Sequence, residues 1–436
     1  MSLSANDTRV GWVSQPDGRG TFDILWNCLF TSFLCTWVSL HLNVPAQKDS
    51  EPSILIRKFR WMFQAILGPE FVLAFATGQR AEAKRSVTAF RAAGHEKWTM
   101  RHGFYANMGG FMLHARDSTP FPINAKQVLW LVKHEHLTFP TLSERDIEDK
   151  SKADGFAKFA TCVQTTWLVV HCICRAVQHL PVTTLELTTV SFVICNLATY
   201  FEWSQKPLDV YTPTILTTAA SINEILIAAG DAASKPHRQT PLDFIDDQSP
   251  SWLLDVQPYF GFRTWARERP LTRFTNDRFP TIGAEPHSIA LFFINMAYSA
   301  IHALGWNFDF PSDIERLLWR VSSIAIIVTT FIFWMCETYQ DGVRLGRWKR
   351  WWSHVLKRRG TNKSDSELGG NGSSDEEGPT KAGFIPRWEM AIFIPISVVY
   401  TLARMYVVIE CFFALRSLPV AAYQDVDWIQ FVPHFA

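Results

Sequence analysis

The sequence predicts an all-α fold, a polytopic transmembrane helix bundle of seven to eight spans. The 436 residues are 47% hydrophobic and include 33 Phe and 18 Trp, and the apolar residues are concentrated in runs along the chain. A run of about 20 apolar residues crosses roughly 30 Å of hydrocarbon as a helix. Seven such runs occur, at residues 24–44, 59–78, 156–177, 183–203, 287–308, 317–339 and 389–415.

An eighth, weaker candidate at 211–230 carries Glu224 and many Thr and Ser, so it could instead be a re-entrant or buried segment. These runs divide the chain into an N-terminal segment, paired spans and polar insertions. The expected divisions are 1–23 (N-terminus), 24–78 (spans 1 and 2), 79–155 (amphipathic helix and small subdomain), 156–230 (spans 3 and 4 and the weak candidate), 231–286 (Pro-rich loop), 287–339 (spans 5 and 6), 340–388 (basic, then acidic and disordered loop) and 389–436 (span 7 and C-terminus).

Charge distribution predicts the orientation of the spans. The basic run Arg344–Gly360 follows the sixth span, so it is expected on the cytoplasmic side. With seven spans, the N-terminus and the segments 79–155 and 204–286 would share that side, and an eighth span would change this parity. The net charge of +1 argues against nucleic acid as a partner, because acids balance the basic residues.

One carboxyl lies halfway along an apolar run. The stretch GPEFVLAFATG places Glu70 inside the predicted span 59–78, where an ionisable group is costly and is a functional candidate. Burial disfavours the charged form, so Glu70 is expected to stay protonated and to act as a general acid. The alternative is a structural ion pair with Arg175 or Arg404.

Glu202 is the second acid candidate. It ends a predicted span beside Trp203, close to Lys206 and Asp209. This position also suits an interfacial ion pair, so the catalytic interpretation has a structural alternative.

A polar stripe follows the fifth predicted span. Asn295, Tyr298 and His302 are separated by three and four residues, a spacing that aligns them on one helix face. We interpret Asn295, Tyr298 and the nearby Trp306 as substrate-binding residues and His302 as a catalytic base. Hydrogen bonding between helices, or aromatic packing in the case of Trp306, is the alternative.

The common motifs for metal and nucleotide chemistry are missing. The stretch DFIDDQSP lacks the last Asp of a DDxxD motif, and KHEHL has its two His residues too close for HExxH. The sequence contains no P-loop and no GxSxG. It therefore predicts neither a metal site nor a cofactor.

Several stretches resemble one family of membrane proteins. The segment Gly11–Ala46, the glutamate in LGPEF, the stretch FEWSQKPLDV and the segment His302–Arg320 resemble the fungal membrane-bound terpene cyclases of meroterpenoid biosynthesis. The resemblance implies metal-independent cyclisation of a farnesyl chain on an aromatic or quinone-like head, started by protonation of an epoxide or alkene.

The sequence-based expectation is therefore an acid-initiated isomerising cyclase of fungal secondary metabolism. Its partners would be a lipophilic prenylated substrate and membrane lipid, and its location an endoplasmic reticulum membrane. A transporter or receptor-like protein is the main alternative, since polar stripes also suit a substrate path. A membrane acyltransferase that uses His302 is a third possibility.

Overall fold

The computed structural model describes residues 9–14, 18–152, 155–234, 237, 239–246, 270–276, 286–344 and 387–428, with the backbone alone at 286–288, 337–344 and 387–390. Residues 345–386 of the predicted loop 340–388, and much of the loop 231–286, lie outside these residues. In chain order the helices are α1 (Thr21–Ser39), α2 (Glu51–Leu67), α3 (Pro69–Ala92), α4 (Met100–Asn107), α5 (Ala125–Lys133), α6 (Glu144–Asp149), α7 (Gly155–Val177), α8 (Thr184–Glu202), α9 (Ile222–Ala229), α10 (Pro286–Ile301), α11 (Asp313–Arg344) and α12 (Arg387–Phe413). The strands are β1 (Arg9–Val10), β2 (Phe111–His114), β3 (Phe121–Ile123), β4 (Thr214–Thr217) and β5 (Leu418–Pro419).

Six of the described helices are long and apolar enough to cross a membrane, and the chain is an integral membrane protein. They are α1, α7, α8, α10 with the 3-10 turn that follows it, α11 and α12. Helix α8 packs against α1, α3, α7, α10 and α12, so it lies at the centre of the bundle. The prediction of seven to eight spans is wrong, because two of the predicted spans have other structures.

The predicted span 59–78 is broken in the middle. Helix α2 ends at Leu67 and α3 begins at Pro69, with Gly68 between them in a conformation that is neither helical nor extended. Proline cannot continue the preceding helix because it has no N–H, whereas it suits the first position of a new one. A Cβ at Gly68 would lie 2.7 Å from the Phe71 ring, so any other residue at this turn would force the ring to shift.

Helices α2 and α3 pack against each other as a hairpin. The carbonyl of Leu67, at the tip, accepts a hydrogen bond of 2.9 Å from Arg404 Nε. Arg404 lies near the midpoint of the span Ala391–Arg416, so the hairpin tip reaches the middle of the bundle. Irregular backbone is tolerated at this depth only when protein surrounds it.

The candidate span 211–230 belongs to an extramembrane unit, which consists of α4–α6, β2–β4 and α9. Strand β4 pairs in parallel with β2, which pairs antiparallel with β3, and the short helix α9 follows β4. A hydrophobic core that includes Trp98, Phe111 and Leu131 lies beneath this sheet. Hydropathy alone cannot distinguish such a half-buried strand and helix from a weak span.

Lys206 joins this unit to the bundle. Its Nζ donates to His41 O (2.6 Å), Asn43 Oδ1 (3.1 Å) and Gln79 Oε1 (2.9 Å), and its side chain is buried. Burial lowers the pKa of Lys206 to about 7, while the three oxygen acceptors stabilise its charged form.

The first and last described strands, β1 and β5, meet at the other end of the bundle, which we call the terminal end. Strand β1 pairs antiparallel with β5, which follows α12. Arg175, at the end of α7, donates to the carbonyls of residues 181, 422 and 424 there. The six spans therefore separate the N-terminal strand from the extramembrane unit, which the seven-span prediction had placed on one side.

Candidate functional site

Glu70 lies in the first turn of α3, at the tip of the hairpin. Its side chain is buried, with 5% exposure. Neither carboxyl oxygen has a hydrogen-bond partner among the described residues. Arg404 is the charged group with the strongest electrostatic effect on Glu70. The two side chains nevertheless form no ion pair within the described part of the chain.

Arg404 is directed to three groups around the hairpin tip. Besides the Leu67 carbonyl, it donates from Nη1 to His302 Nε2 at 2.7 Å. Its guanidinium carbon lies 5.2 Å from the centre of the Tyr298 ring. Arg404 is 2% exposed, so these contacts replace water around a buried charge.

His302 has both ring nitrogens engaged. Its Nε2 accepts from Arg404, so Nδ1 carries the proton and donates to Tyr298 O at 3.2 Å. The backbone carbonyl of His302 accepts from Trp319 Nε1 at 3.0 Å. His302 is thus a fixed neutral imidazole that holds Arg404, with no free lone pair for a base.

Tyr298 and Asn295 add two unpaired polar groups. Tyr298 is fully buried and Asn295 is 3% exposed, and they lie one turn apart on α10. The Tyr298 hydroxyl and Asn295 Oδ1 have no hydrogen-bond partner among the described residues. Tyr298 lies within electrostatic reach of Glu70 and Cys195.

We call Glu70, Cys195, Asn295, Tyr298, His302 and Arg404 the interior cluster. Its apolar surroundings include Leu73, Leu291 and Trp334. A buried polar group without a partner costs roughly 1–3 kcal/mol, so several in one place require an explanation. Unpaired polar groups inside an apolar site are typical of a binding site, where the polar atoms of a ligand satisfy them.

Two predicted site residues lie outside the interior cluster. Glu202 ends α8 with its carboxylate 4.0 Å from Arg80 Nε. Trp306 is 38% exposed, and its ring is covered by Arg320 at 5.1 Å. The alternative pairing of Glu70 with Arg175 is wrong, because Arg175 binds backbone carbonyls at the terminal end of the bundle.

The sequence interpretation named Arg404 only as a possible ion-pair partner of Glu70, and it gave Cys195 no site role. Arg404 carried a signal, since an arginine in the middle of an apolar run needs a partner inside the bundle. Cys195 carried none, because a buried cysteine in a span resembles any small packing residue.

The chain matches the DUF8562 family over residues 1–230 and 287–435. It belongs to DUF8562, a family of unknown function. The matched ranges contain every residue of the interior cluster and the whole α2–α3 hairpin. Neither curated proteins nor solved structures give a match to the chain.

Proposed function

We propose that this protein is a membrane-embedded terpene cyclase that uses Glu70 as a general acid and needs no metal. Its substrate would be a farnesylated precursor with a terminal epoxide or alkene. The observation that carries the proposal is an unpaired, buried carboxyl in the same interior cluster as the unpaired Tyr298 hydroxyl, inside an apolar bundle. A carboxyl in such surroundings favours its neutral form, which is the form that can donate a proton.

The reaction is balanced without a co-reactant. Glu70 gives its proton to the epoxide oxygen, the C–O bond breaks, and alkene electrons close the ring. Loss of a proton from the final cation to the Glu70 carboxylate regenerates the acid, so the product is an isomer of the substrate. Arg404 stabilises the carboxylate between these two steps.

Aromatic rings near the site suit a cationic intermediate. Tyr298 belongs to the interior cluster, and the ring of Trp334 lies 6.3 Å from that of Phe292 in an edge arrangement. Ring faces stabilise positive charge, and an apolar wall keeps water from trapping it. The substrate would enter from the lipid, where the prenyl chain is soluble.

A proton-coupled transporter is the second candidate. It is favoured by the α2–α3 hairpin, because broken helices with their ends near the midplane are typical of substrate sites in transporters. A buried protonatable carboxyl at such a break also suits proton coupling. The acyltransferase alternative has less support, since Arg404 occupies the His302 nitrogen that would act as a base.

The test is a conversion assay with microsomes that contain the full chain. They receive a farnesylated phenol with a terminal epoxide, in the presence of EDTA, and products are separated by chromatography and mass spectrometry. We expect a cyclised isomer of unchanged mass. Uptake without conversion would favour the transporter, and activity that EDTA abolishes would contradict the metal-free mechanism.

Glu70→Gln keeps the size of the side chain and removes the donated proton. We expect it to accumulate in the membrane as the unchanged protein does and to lose turnover by roughly 100-fold or more. Glu224→Gln is the matched control, because Glu224 caps α9 in the extramembrane unit and Gln keeps that capping. Turnover by Glu70→Gln near that of Glu224→Gln would reject the role of Glu70.

A further inference from the structure

A polar cavity lies at the terminal end of the bundle, away from the interior cluster. It has a volume of about 210 Å³ and lies where α1 and α8 begin and α7 approaches its end. The residues that define its chemistry are Arg19, Asp23, Trp167, His171, Glu186 and Asp425. The cyclase proposal uses none of them.

Arg19 lines this cavity and has one donor without a partner among the described residues. It is 8% exposed, and its Nη2 donates to Glu186 Oε1 at 2.5 Å. The other Glu186 oxygen accepts from Thr183 N and Oγ1, so Glu186 is engaged through both oxygens. Arg19 Nη1 is buried and has no partner among the described residues. A buried guanidinium N–H without an acceptor fits an anionic oxygen of a ligand.

The carboxylates of the cavity favour a cation, whereas Arg19 favours an anion. Asp425 is exposed and makes no hydrogen bond within the described part of the chain, while Asp23 accepts from Gly20 N through one oxygen. With Glu186, three carboxylates line the cavity together with Arg19 and His171. Arg175 lies within electrostatic reach of Glu186 and Asp425, and the three carboxylates still outnumber the two arginines. The Trp167 side chain adds an aromatic lining, which suits an organic cation.

We propose that this cavity binds a zwitterion, with an anionic oxygen at Arg19 Nη1 and an ammonium group between Asp23, Asp425 and Trp167. The location supports a ligand at the membrane surface. Trp167 stacks on Trp428 with ring centres 5.2 Å apart, and tryptophan is typical of the headgroup level. A zwitterionic phospholipid headgroup and a free zwitterion share this chemistry.

Binding to the purified full chain in detergent tests the proposal, with calorimetry and phosphoethanolamine as the soluble probe. Ethanolamine and inorganic phosphate, each with half of the chemistry, are the comparison probes. A second arm reconstitutes the chain in nanodiscs of phosphatidylethanolamine or phosphatidylglycerol and measures retained lipid by native mass spectrometry. The variants are Asp425→Asn and, as a matched control two residues away, Asp427→Asn.

We expect phosphoethanolamine to bind at least tenfold more tightly than ethanolamine or inorganic phosphate. In nanodiscs, we expect phosphatidylethanolamine to bind at least tenfold more tightly than phosphatidylglycerol. Asp425→Asn should remove that preference and Asp427→Asn should keep it. A preference confined to the nanodisc arm assigns the ligand to the membrane, and one shared with phosphoethanolamine assigns it to the headgroup chemistry alone. Equal binding of the half-probes, no binding in either arm, or an unchanged preference in Asp425→Asn would overturn the proposal.

Arg19→Gln is a second variant with a different expected result. It leaves Glu186 buried without its cation, so a loss of protein is expected from that change alone. Asp425→Asn breaks no hydrogen bond to a described residue and therefore keeps the proposal testable when Arg19→Gln does not accumulate. Glu70→Gln should bind the zwitterion as the unchanged protein does, which separates this proposal from the cyclase proposal.

Discussion

Replacing Arg404 with Met should release the α2–α3 hairpin from the bundle. The guanidinium makes a hydrogen bond of 2.9 Å to Leu67 O and one of 2.7 Å to His302 Nε2, and it lies 5.2 Å from the centre of the Tyr298 ring. Met has a similar length and is apolar. It fills much of the space but leaves the carbonyl and the imidazole nitrogen unpaired.

The size of the effect follows from these contacts. Hydrogen bonds from a charged donor contribute about 1.5–3 kcal/mol each. A desolvated cation–π contact contributes about 0.5–2 kcal/mol. Burying the guanidinium costs several kcal/mol, which Met avoids. We expect a net destabilisation of about 2–4 kcal/mol, or roughly 4–8 °C in Tm at about 2 °C per kcal/mol for a large chain.

The assay combines thermal unfolding in detergent with labelling of Cys195. Cys195 is a fully buried member of the interior cluster, so a maleimide should react with it only when the hairpin moves. Mass spectrometry of its peptide separates it from the exposed Cys162. We expect faster labelling of Cys195 in Arg404→Met and unchanged labelling of Cys162.

Arg320→Met is the matched control. Arg320 also donates to one backbone carbonyl, that of Trp306 at 2.9 Å, and covers one aromatic ring, but it does so at the surface. Its loss should change stability by no more than about 0.5–1 kcal/mol. If Arg404→Met were as stable as Arg320→Met and Cys195 stayed protected, the reasoning that Arg404 anchors the hairpin would be refuted.

Two further predictions concern the hairpin turn and the extramembrane unit. Gly68→Ala should destabilise the protein by about 1–3 kcal/mol, because its Cβ would lie 2.7 Å from the Phe71 ring; Phe71→Leu should restore part of the loss in the same unfolding assay, and no rescue would contradict the steric explanation. Burial lowers the pKa of Lys206 from 10.5 to about 7, so between pH 7 and pH 10.5 the unfolded chain binds more protons than the folded chain. The contribution of Lys206 to stability should therefore rise with pH across that window and stay level below it. Unfolding temperatures from pH 6 to pH 10 check this, with Lys206→Met expected to lose the rise, and an equal rise in both proteins would count against it.

The sequence by itself predicted a membrane helix bundle and part of the interior cluster. Length and hydropathy of the apolar runs were sufficient for the six membrane helices, because each run has to bury its backbone polar groups within one helix. The three- and four-residue spacing of Asn295, Tyr298 and His302 was sufficient to place them on one buried face. Glu70 stood out because a carboxyl inside an apolar run is costly unless protein surrounds it.

Only the tertiary structure decided whether an apolar run crosses the membrane, and which side chains meet. A hydropathy average contains no information on the direction of the chain, so it counted 59–78 as one span. In the structure α2 ends before Gly68, and α3 begins at Pro69 and turns back. It also could not show that 211–230 pairs with a sheet. The partners of Glu202 and Trp306, and the approach of Arg404 to Glu70 across more than 300 residues of sequence, depend on helix packing. Packing brings distant residues together through contacts between helix faces, which local sequence patterns do not specify.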